Sequence, residues 1–148
     1  MAEKNEKVIA VLNQQVATWT VLYTKLHNYH WFVKGELFFV LHPKFEELYD
    51  EATENMDATA ERVLTLGGEP VAKLTEALKL SVVEEAAGGE TPREMVATLL
   101  ADYEKMTKGL HEGIEIAEEA GDAVTADFFT QTAAVLEKHC WMLRAHLA

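Results

Sequence analysis

The stretch that decides the fold is residues 67–91, GGEPVAKLTEALKLSVVEEAAGGET, which separates two pairs of long helical patterns. Its ends are rich in glycine and proline, which stop helices. Residues 71–80 between those ends have the apolar spacing of a short amphipathic helix. A connection of about 25 residues is long enough to cross the length of a helical bundle. The two long helices that it joins are therefore expected to run in the same direction.

Four long helices are predicted around this connection, over residues 5–34, 43–66, 92–120 and 122–148. Each carries apolar residues at helical spacing, and no segment has the alternation of a strand. Short links join the first two helices and the last two, so each of these pairs is expected to be antiparallel. The sequence thus predicts an all-α fold, a ferritin-like four-helix bundle with a short extra helix in its long connection, formed by one domain over residues 1–148.

The predicted helix ends rest on local signals. Gly35 is placed to end the first helix, and Pro43 is placed in the first turn of the second, where proline is tolerated. Thr91 and Glu94 have the spacing of a capping box, and Asp122 is a plausible N-cap for the last helix. The predicted apolar stripe of the second helix is Phe45, Leu48, Tyr49, Ala52, Met56, Ala60, Val63 and Leu64.

Composition narrows the classes of function. The formal net charge is −12, which disfavours nucleic-acid binding by the body of the domain. It suits either a protein that attracts cations or an acidic surface that only keeps soluble proteins apart. The single cysteine excludes a disulfide framework and favours a reducing, cytoplasmic location. No signal peptide is visible, and no apolar run approaches the roughly 18 residues that a membrane span needs.

One face of the second helix is strongly acidic. Helical geometry places six carboxylates within about 100° of arc. These are Glu46, Glu47, Asp50, Glu54, Asp57 and Glu61. Several of them are like-charged pairs at i, i+4 spacing, which destabilise a helix by about 0.2–0.5 kcal/mol each unless a cation offsets the repulsion. Either this is a solvated acidic face, or it contributes to a metal site.

Histidines supply the other half of a possible site. His27 and His30 lie one helical turn apart, and His42 would continue the acidic side of the second helix if that helix reached it. Imidazole mixed with carboxylate is a ligand set that suits iron. A bundle that binds two irons within one chain uses Glu-x-x-His motifs, and none of the six histidines has a glutamate three residues before it. Either there is no di-iron site, or the site draws on more than one chain.

The segment HNYHWFVKGELFFVLHPKFEELYDEATENMDATAERVLTLGGEP, residues 27–70, resembles the signature of the Dps family of miniferritins, the DNA-protection-during-starvation proteins. The likeness covers nearly the whole chain and extends to the ending KHCWMLRAHL. It implies a ferroxidase site between two chains related by a two-fold axis. One chain would supply His30 and His42, with a further carboxylate from Glu46, where the family more often has aspartate. The neighbouring chain would supply Asp57 and Glu61.

The same resemblance assigns roles to other residues. It implies that Trp31 lies beside the iron site as a redox neighbour, and that the assembly is a hollow homododecamer. Cations would enter through acidic pores built from Asp127, Glu118 and Asp122. Glu47, Asp50 and Glu54 are candidates to nucleate ferric mineral, or else they are solvated acids on the cavity wall. Trp31 could equally be an interface aromatic, and Asp122 a helix cap.

The predicted function is therefore oxidation of Fe²⁺, preferably by hydrogen peroxide and alternatively by oxygen, with storage of ferric mineral and protection of DNA. Two alternatives stay open: a DNA-binding, nucleoid-compacting member of the same family, and a non-catalytic acidic helical scaffold. Direct DNA binding is not expected, because Lys4 and Lys7 near the start of the chain are balanced by Glu3 and Glu6. No association with a membrane is expected.

Overall fold

The computed structural model describes residues 2–148, and the side chains of residues 5–148. Its helices are α1 (Ala2–Phe32), α2 (Phe38–Thr65), α3 (Leu74–Leu80), α4 (Pro92–Glu119) and α5 (Ala123–Leu147). No strand occurs in these residues. The predicted all-α bundle with a short helix in the long connection is thus confirmed. The side chains of Glu3 and Lys4, which entered the prediction about DNA, lie outside the described part.

The bundle is built from two helical pairs. The helix α1 packs chiefly on α2, and α4 packs chiefly on α5, while α3 lies against α1. Apolar side chains from all four long helices form one core. Within the described residues, no helix is both long and apolar enough to cross a lipid bilayer.

Two predicted helix starts are confirmed by their capping bonds. Thr91 Oγ1 accepts a hydrogen bond from the Glu94 backbone N–H at 3.1 Å, and the Glu94 carboxylate accepts one from the Thr91 N–H at 3.2 Å. The Asp122 carboxylate accepts from the Thr125 N–H at 2.9 Å. These bonds satisfy backbone donors that have no partner within the helix. They fix where α4 and α5 begin.

The predicted start of the second helix is wrong. The helix α2 begins at Phe38, so Pro43 is its sixth residue and lies beyond the first turn. Leu41 is buried in the core, and its N–H donates to the Leu37 carbonyl at 2.8 Å. Burial of Leu41 outweighs the one intrahelical hydrogen bond that proline cannot make. The earlier start places His42 on the helix itself.

Other boundaries differ by less. The helix α3 begins at Leu74 rather than at residue 71, because Lys73 is extended, with φ of −127°. In the predicted stripe of α2, Leu64 is wrong: it is 58% exposed, whereas Val63 beside it is fully buried. One residue turns a helix by about 100°, so the two side chains leave on different faces.

A close approach of three helices occurs at Gly113. A Cβ atom built there would lie 2.8 Å from Val11 Cγ1 and 3.0 Å from Phe129 Cε2. We expect Gly113→Ala to lower the free energy of unfolding by about 1–3 kcal/mol, because overpacking outweighs the gain in helix propensity. Gly109→Ala is the matched control, since its Cβ would meet only Gln15 Nε2 at 3.4 Å. Denaturant unfolding of both variants at one protein concentration measures the difference.

Gly109→Ala should leave stability unchanged or raise it by up to about 1 kcal/mol. Equal stability of the two variants would contradict close packing at Gly113.

Candidate metal centre

Two histidines from different helices meet at the α1–α2 turn. His30 lies near the C-terminal end of α1, and His42 lies in the early part of α2. Their ring centroids are 3.7 Å apart and the ring planes differ by 14°, so the imidazoles are stacked. His30 is only 7% exposed. The fold therefore brings together two ligand-type side chains that are twelve residues apart in sequence.

A reciprocal pair of hydrogen bonds orients both rings. His30 Nδ1 lies 2.7 Å from the His42 carbonyl oxygen, and His42 Nδ1 lies 2.7 Å from the His30 carbonyl oxygen. A carbonyl oxygen can only accept, so we assign the proton of each ring to Nδ1. In this tautomer each Nε2 carries no proton and presents a lone pair. Histidine ligands of metal ions in proteins are commonly held in this way by a carbonyl behind the ring.

Glu46 lies one turn after His42 and completes this group. Its Oε1 atom is 3.9 Å from His30 Nε2, and its side chain is 54% exposed. In the structure His30 lies against His42 and near Glu46, the three residues that the resemblance assigns to the histidine side of a site. The carboxylate is not in direct contact with the imidazole, so a gap remains between the two donors.

Asp57 and Glu61 lie far from the histidines of their own chain. They follow His42 on the same helix by 15 and 19 residues, which corresponds to about 22 and 28 Å along the axis. Both are exposed. Within the part of the chain that the structure describes, no group of three or more His, Cys, Asp or Glu side chains is arranged to hold a metal ion by itself. One chain thus presents two separate sets of donors.

Aromatic side chains surround the histidine pair. Tyr49 stacks on His27 with a centroid distance of 3.7 Å and meets His30 edge-on at 5.3 Å. Trp31 is 67% exposed, and its ring lies 5.2 Å from that of His27. The sequence analysis includes Tyr49 only in the apolar stripe of the second helix and not among the site residues. Its place beside the site could have been predicted from its spacing, three residues after Glu46 on one face of a helix.

The Tyr49 hydroxyl donates a hydrogen bond to Glu46 Oε1, with a distance of 3.4 Å. Partial burial raises the pKa of the Tyr49 phenol above its ordinary value, and the nearby charges of Glu46 and Asp50 raise it further. The phenol therefore keeps its proton at neutral pH and can serve as a donor.

The remaining predicted acidic residues are dispersed. Glu47, Asp50 and Glu54 are exposed along α2, and Glu47 pairs with Lys44 at 3.2 Å. Asp127 is exposed on α5, where it accepts a hydrogen bond from Gln131 Nε2 at 2.7 Å. It lines a cavity of about 440 Å³ between α2 and α5.

Glu118 and Asp122 lie at the turn between α4 and α5. Glu118 is exposed, whereas Asp122 is held by its capping bonds and by Arg62 at 3.4 Å. Burial acts to raise the pKa of Asp122, but hydrogen bonds from Thr125 and the charge of Arg62 lower it overall. Asp122 is therefore ionised at neutral pH and is engaged in the fold.

Comparison with known protein families shows the class of protein to which this chain belongs. Residues 9–148 match the family described as "Ferritin-like domain", which agrees with the bundle and its paired donors.

Similar individual proteins place the chain in one family within the ferritin-like class. The chain is 53% identical to DNA protection during starvation protein 2 of Bacillus anthracis, a match that covers 97% of this chain and 98% of that one. Dps from Staphylococcus aureus superposes with a TM-score of 0.95 at 51% identity, covering 97% and 96% of the two chains. A Dps protein from Bacillus brevis superposes with a TM-score of 0.97 at 47% identity, covering 99% and 98%. The chain belongs to the Dps family of ferritin-like proteins.

Proposed function

We propose that this protein is a ferroxidase and iron store, with Fe²⁺ as its substrate. The observation that carries the proposal is the stacked histidine pair, in which each ring is held through Nδ1 by the other residue's carbonyl group. This arrangement leaves one Nε2 lone pair on each ring, and His30 Nε2 lies 3.9 Å from Glu46 Oε1. Two nitrogen donors and one oxygen donor suit a first-row divalent ion that must later change oxidation state.

We propose that Asp57 and Glu61 of a second chain complete each site. In a two-fold pair with antiparallel α2 helices, the histidine end of one chain would face the carboxylate end of the other, which gives two identical sites. Exposed apolar side chains at both ends support such a pairing, because large exposed apolar patches mark contact surfaces. Phe39 and Val40 are 88% and 58% exposed near the histidines, and Leu64 is 58% exposed beyond Glu61.

The chemistry follows from the donors. Each hydrogen peroxide molecule would take one electron from each of two Fe²⁺ ions, and its O–O bond would break to give two hydroxide ions. Fe³⁺ is a harder ion and prefers oxygen donors, so it would leave the imidazoles, hydrolyse and collect on carboxylates. We propose Glu47, Asp50 and Glu54 as nucleation residues and Trp31 as a redox neighbour. Oxygen is the alternative oxidant.

The proposed assembly is a homododecamer in the cytoplasm. Twelve chains at −12 each would carry a formal charge of about −144, a field that draws in cations. We propose Asp127 and Glu118 as pore residues, with Asp122 adding charge from the same turn. Because the chain is acidic, we do not expect it to bind DNA directly. It would instead protect DNA by removing Fe²⁺ and peroxide.

The experiment that tests this function is an anaerobic Fe²⁺ titration followed by one stoichiometric pulse of hydrogen peroxide. The expected result is rapid near-ultraviolet ferric absorbance that stays in solution and elutes with a particle of dodecamer size. A small particle, with iron precipitating at the protein-free rate, would leave only an acidic helical bundle and would refute the proposal.

A further inference from the structure

Tyr49 is the side chain that links the histidine pair to Glu46. Its ring lies between two imidazoles, stacked on His27 at 3.7 Å with an interplanar angle of 22°, and edge-on to His30 at 5.3 Å and 88°. Its hydroxyl donates to Glu46 Oε1, the same oxygen that faces His30 Nε2. One residue therefore contacts a carboxylate donor and an imidazole donor of the proposed site.

The Tyr49 ring is itself held in place by α1. His27 Nδ1 lies 2.7 Å from the Tyr23 carbonyl oxygen, which orients the imidazole that stacks on Tyr49. The Tyr23 ring adds an edge contact to Tyr49 at 6.3 Å. Aromatic contacts of this kind favour defined ring orientations. The direction of the Tyr49 hydroxyl is therefore set by its neighbours before any metal ion binds.

Glu46 needs such a restraint. A glutamate side chain has one more rotatable bond than aspartate, and immobilising it costs more conformational entropy. More than half of the Glu46 side chain is exposed, so solvent and rotamer freedom compete with coordination. A hydroxyl donor at i, i+3 reduces the number of orientations that the carboxylate samples. The bond of 3.4 Å is long, and such contacts commonly tighten when the site is occupied.

We propose that Tyr49 is a positioning residue: its hydroxyl holds the Glu46 carboxylate towards His30 and so pre-organises the histidine side of the metal site. This inference rests on the proposed function, because it assumes that Glu46 is a ligand. The role depends on the length of the Glu46 side chain. The side chain of an aspartate at this position would be shorter by roughly 1.5 Å, the length of one C–C bond, so its carboxylate would not reach the Tyr49 hydroxyl.

The test uses the assembled protein, free of iron, and Co²⁺ as the probe, with binding followed by its visible d–d absorption. Tyr49→Phe keeps the ring and removes only the hydroxyl. We expect it to weaken Co²⁺ binding about three- to tenfold, the loss of one net hydrogen bond, and to change the d–d spectrum. Tyr103→Phe removes a hydroxyl from a buried tyrosine on α4, outside this aromatic group, and should leave the Co²⁺ affinity and the d–d spectrum unchanged.

The Glu46→Asp variant tests whether the Tyr49 hydroxyl acts on metal binding through the Glu46 carboxylate. In Glu46→Asp, the further change Tyr49→Phe should have no effect on Co²⁺ affinity, because the shorter carboxylate does not reach the hydroxyl. Wild-type affinity in Tyr49→Phe, or equal losses in the two backgrounds, would overturn the positioning role while leaving the metal site intact. If His30→Ala with His42→Ala leaves Co²⁺ binding unchanged, the proposed site fails, and the inference fails with it.

Discussion

Replacing both His30 and His42 by alanine is expected to slow iron oxidation at least about a hundredfold, because disturbing even the supports of metal ligands costs ten- to a hundredfold. Assembly should persist, since most of the core lies outside these two side chains. The measurement is the initial rate of ferric absorbance after a peroxide pulse. His111→Ala is the matched control, because His111 is an exposed histidine that pairs with Glu137 at 2.8 Å on the far helical pair.

Mixed assembly of two inactive variants tests whether the site is shared. One variant lacks His30 and His42, and the other carries Asp57→Ala and Glu61→Ala. Random pairing across a two-fold axis should restore about a quarter of the sites, since each mixed pair has one site with all its donors. The restored activity should appear only after the chains are unfolded and reassembled together. Activity that stays absent would contradict a shared site, and full activity in the histidine variant alone would contradict the site itself.

Lys25→Met is expected to lower the free energy of unfolding by about 3–5 kcal/mol, because it leaves a buried carboxylate without its cation. Lys25 Nζ lies 2.8 Å from Asp102 Oδ2, with the two side chains only 3% and 5% exposed. This ion pair joins α1 to α4 inside the bundle. Denaturant unfolding at one fixed protein concentration, needed for an oligomer, measures the loss.

A surface pair provides the matched control. Arg144 and Glu104 are separated by 3.4 Å and are both more than half exposed. Arg144→Met should therefore cost about 0–1 kcal/mol. The double variant Lys25→Met with Asp102→Leu should recover most of the stability lost by Lys25→Met alone, because no unpaired charge remains. If Lys25→Met and Arg144→Met lower the free energy of unfolding by similar amounts, burial of the Lys25–Asp102 pair does not increase the cost of removing its cation.

The pH dependence of Lys25→Met has a defined sign. Burial raises the pKa of Asp102 above its ordinary value, while Lys25 and Lys105 act to lower it. Without Lys25 the folded-state pKa rises further above that of the unfolded chain. The loss of stability caused by Lys25→Met is therefore largest above the Asp102 pKa of the folded variant. It shrinks as pH falls through that pKa, because burying the neutral acid costs less than burying the carboxylate. The stability gap between Lys25→Met and wild type should narrow on mild acidification.

Much of this protein could be predicted from the sequence by itself. The capping box at Thr91, the cap at Asp122 and the long glycine- and proline-bounded connection are local signals, and each local signal predicts a local event. The histidines and the acidic face could be recognised for the same reason. The start of α2 could not, because burial of Leu41 depends on the other helices and overrides the proline rule at Pro43. Likewise, no local pattern separates Leu64 from Val63.

Local spacing along the chain therefore determined the helices, their order and the types of donor side chain. The reciprocal bonds between His30 and His42, and the contacts of the Tyr49 ring with His27 and His30, depended on tertiary packing. These contacts join atoms that come close only when α1 packs on α2, and sequence periodicity carries no information on distances between different helices.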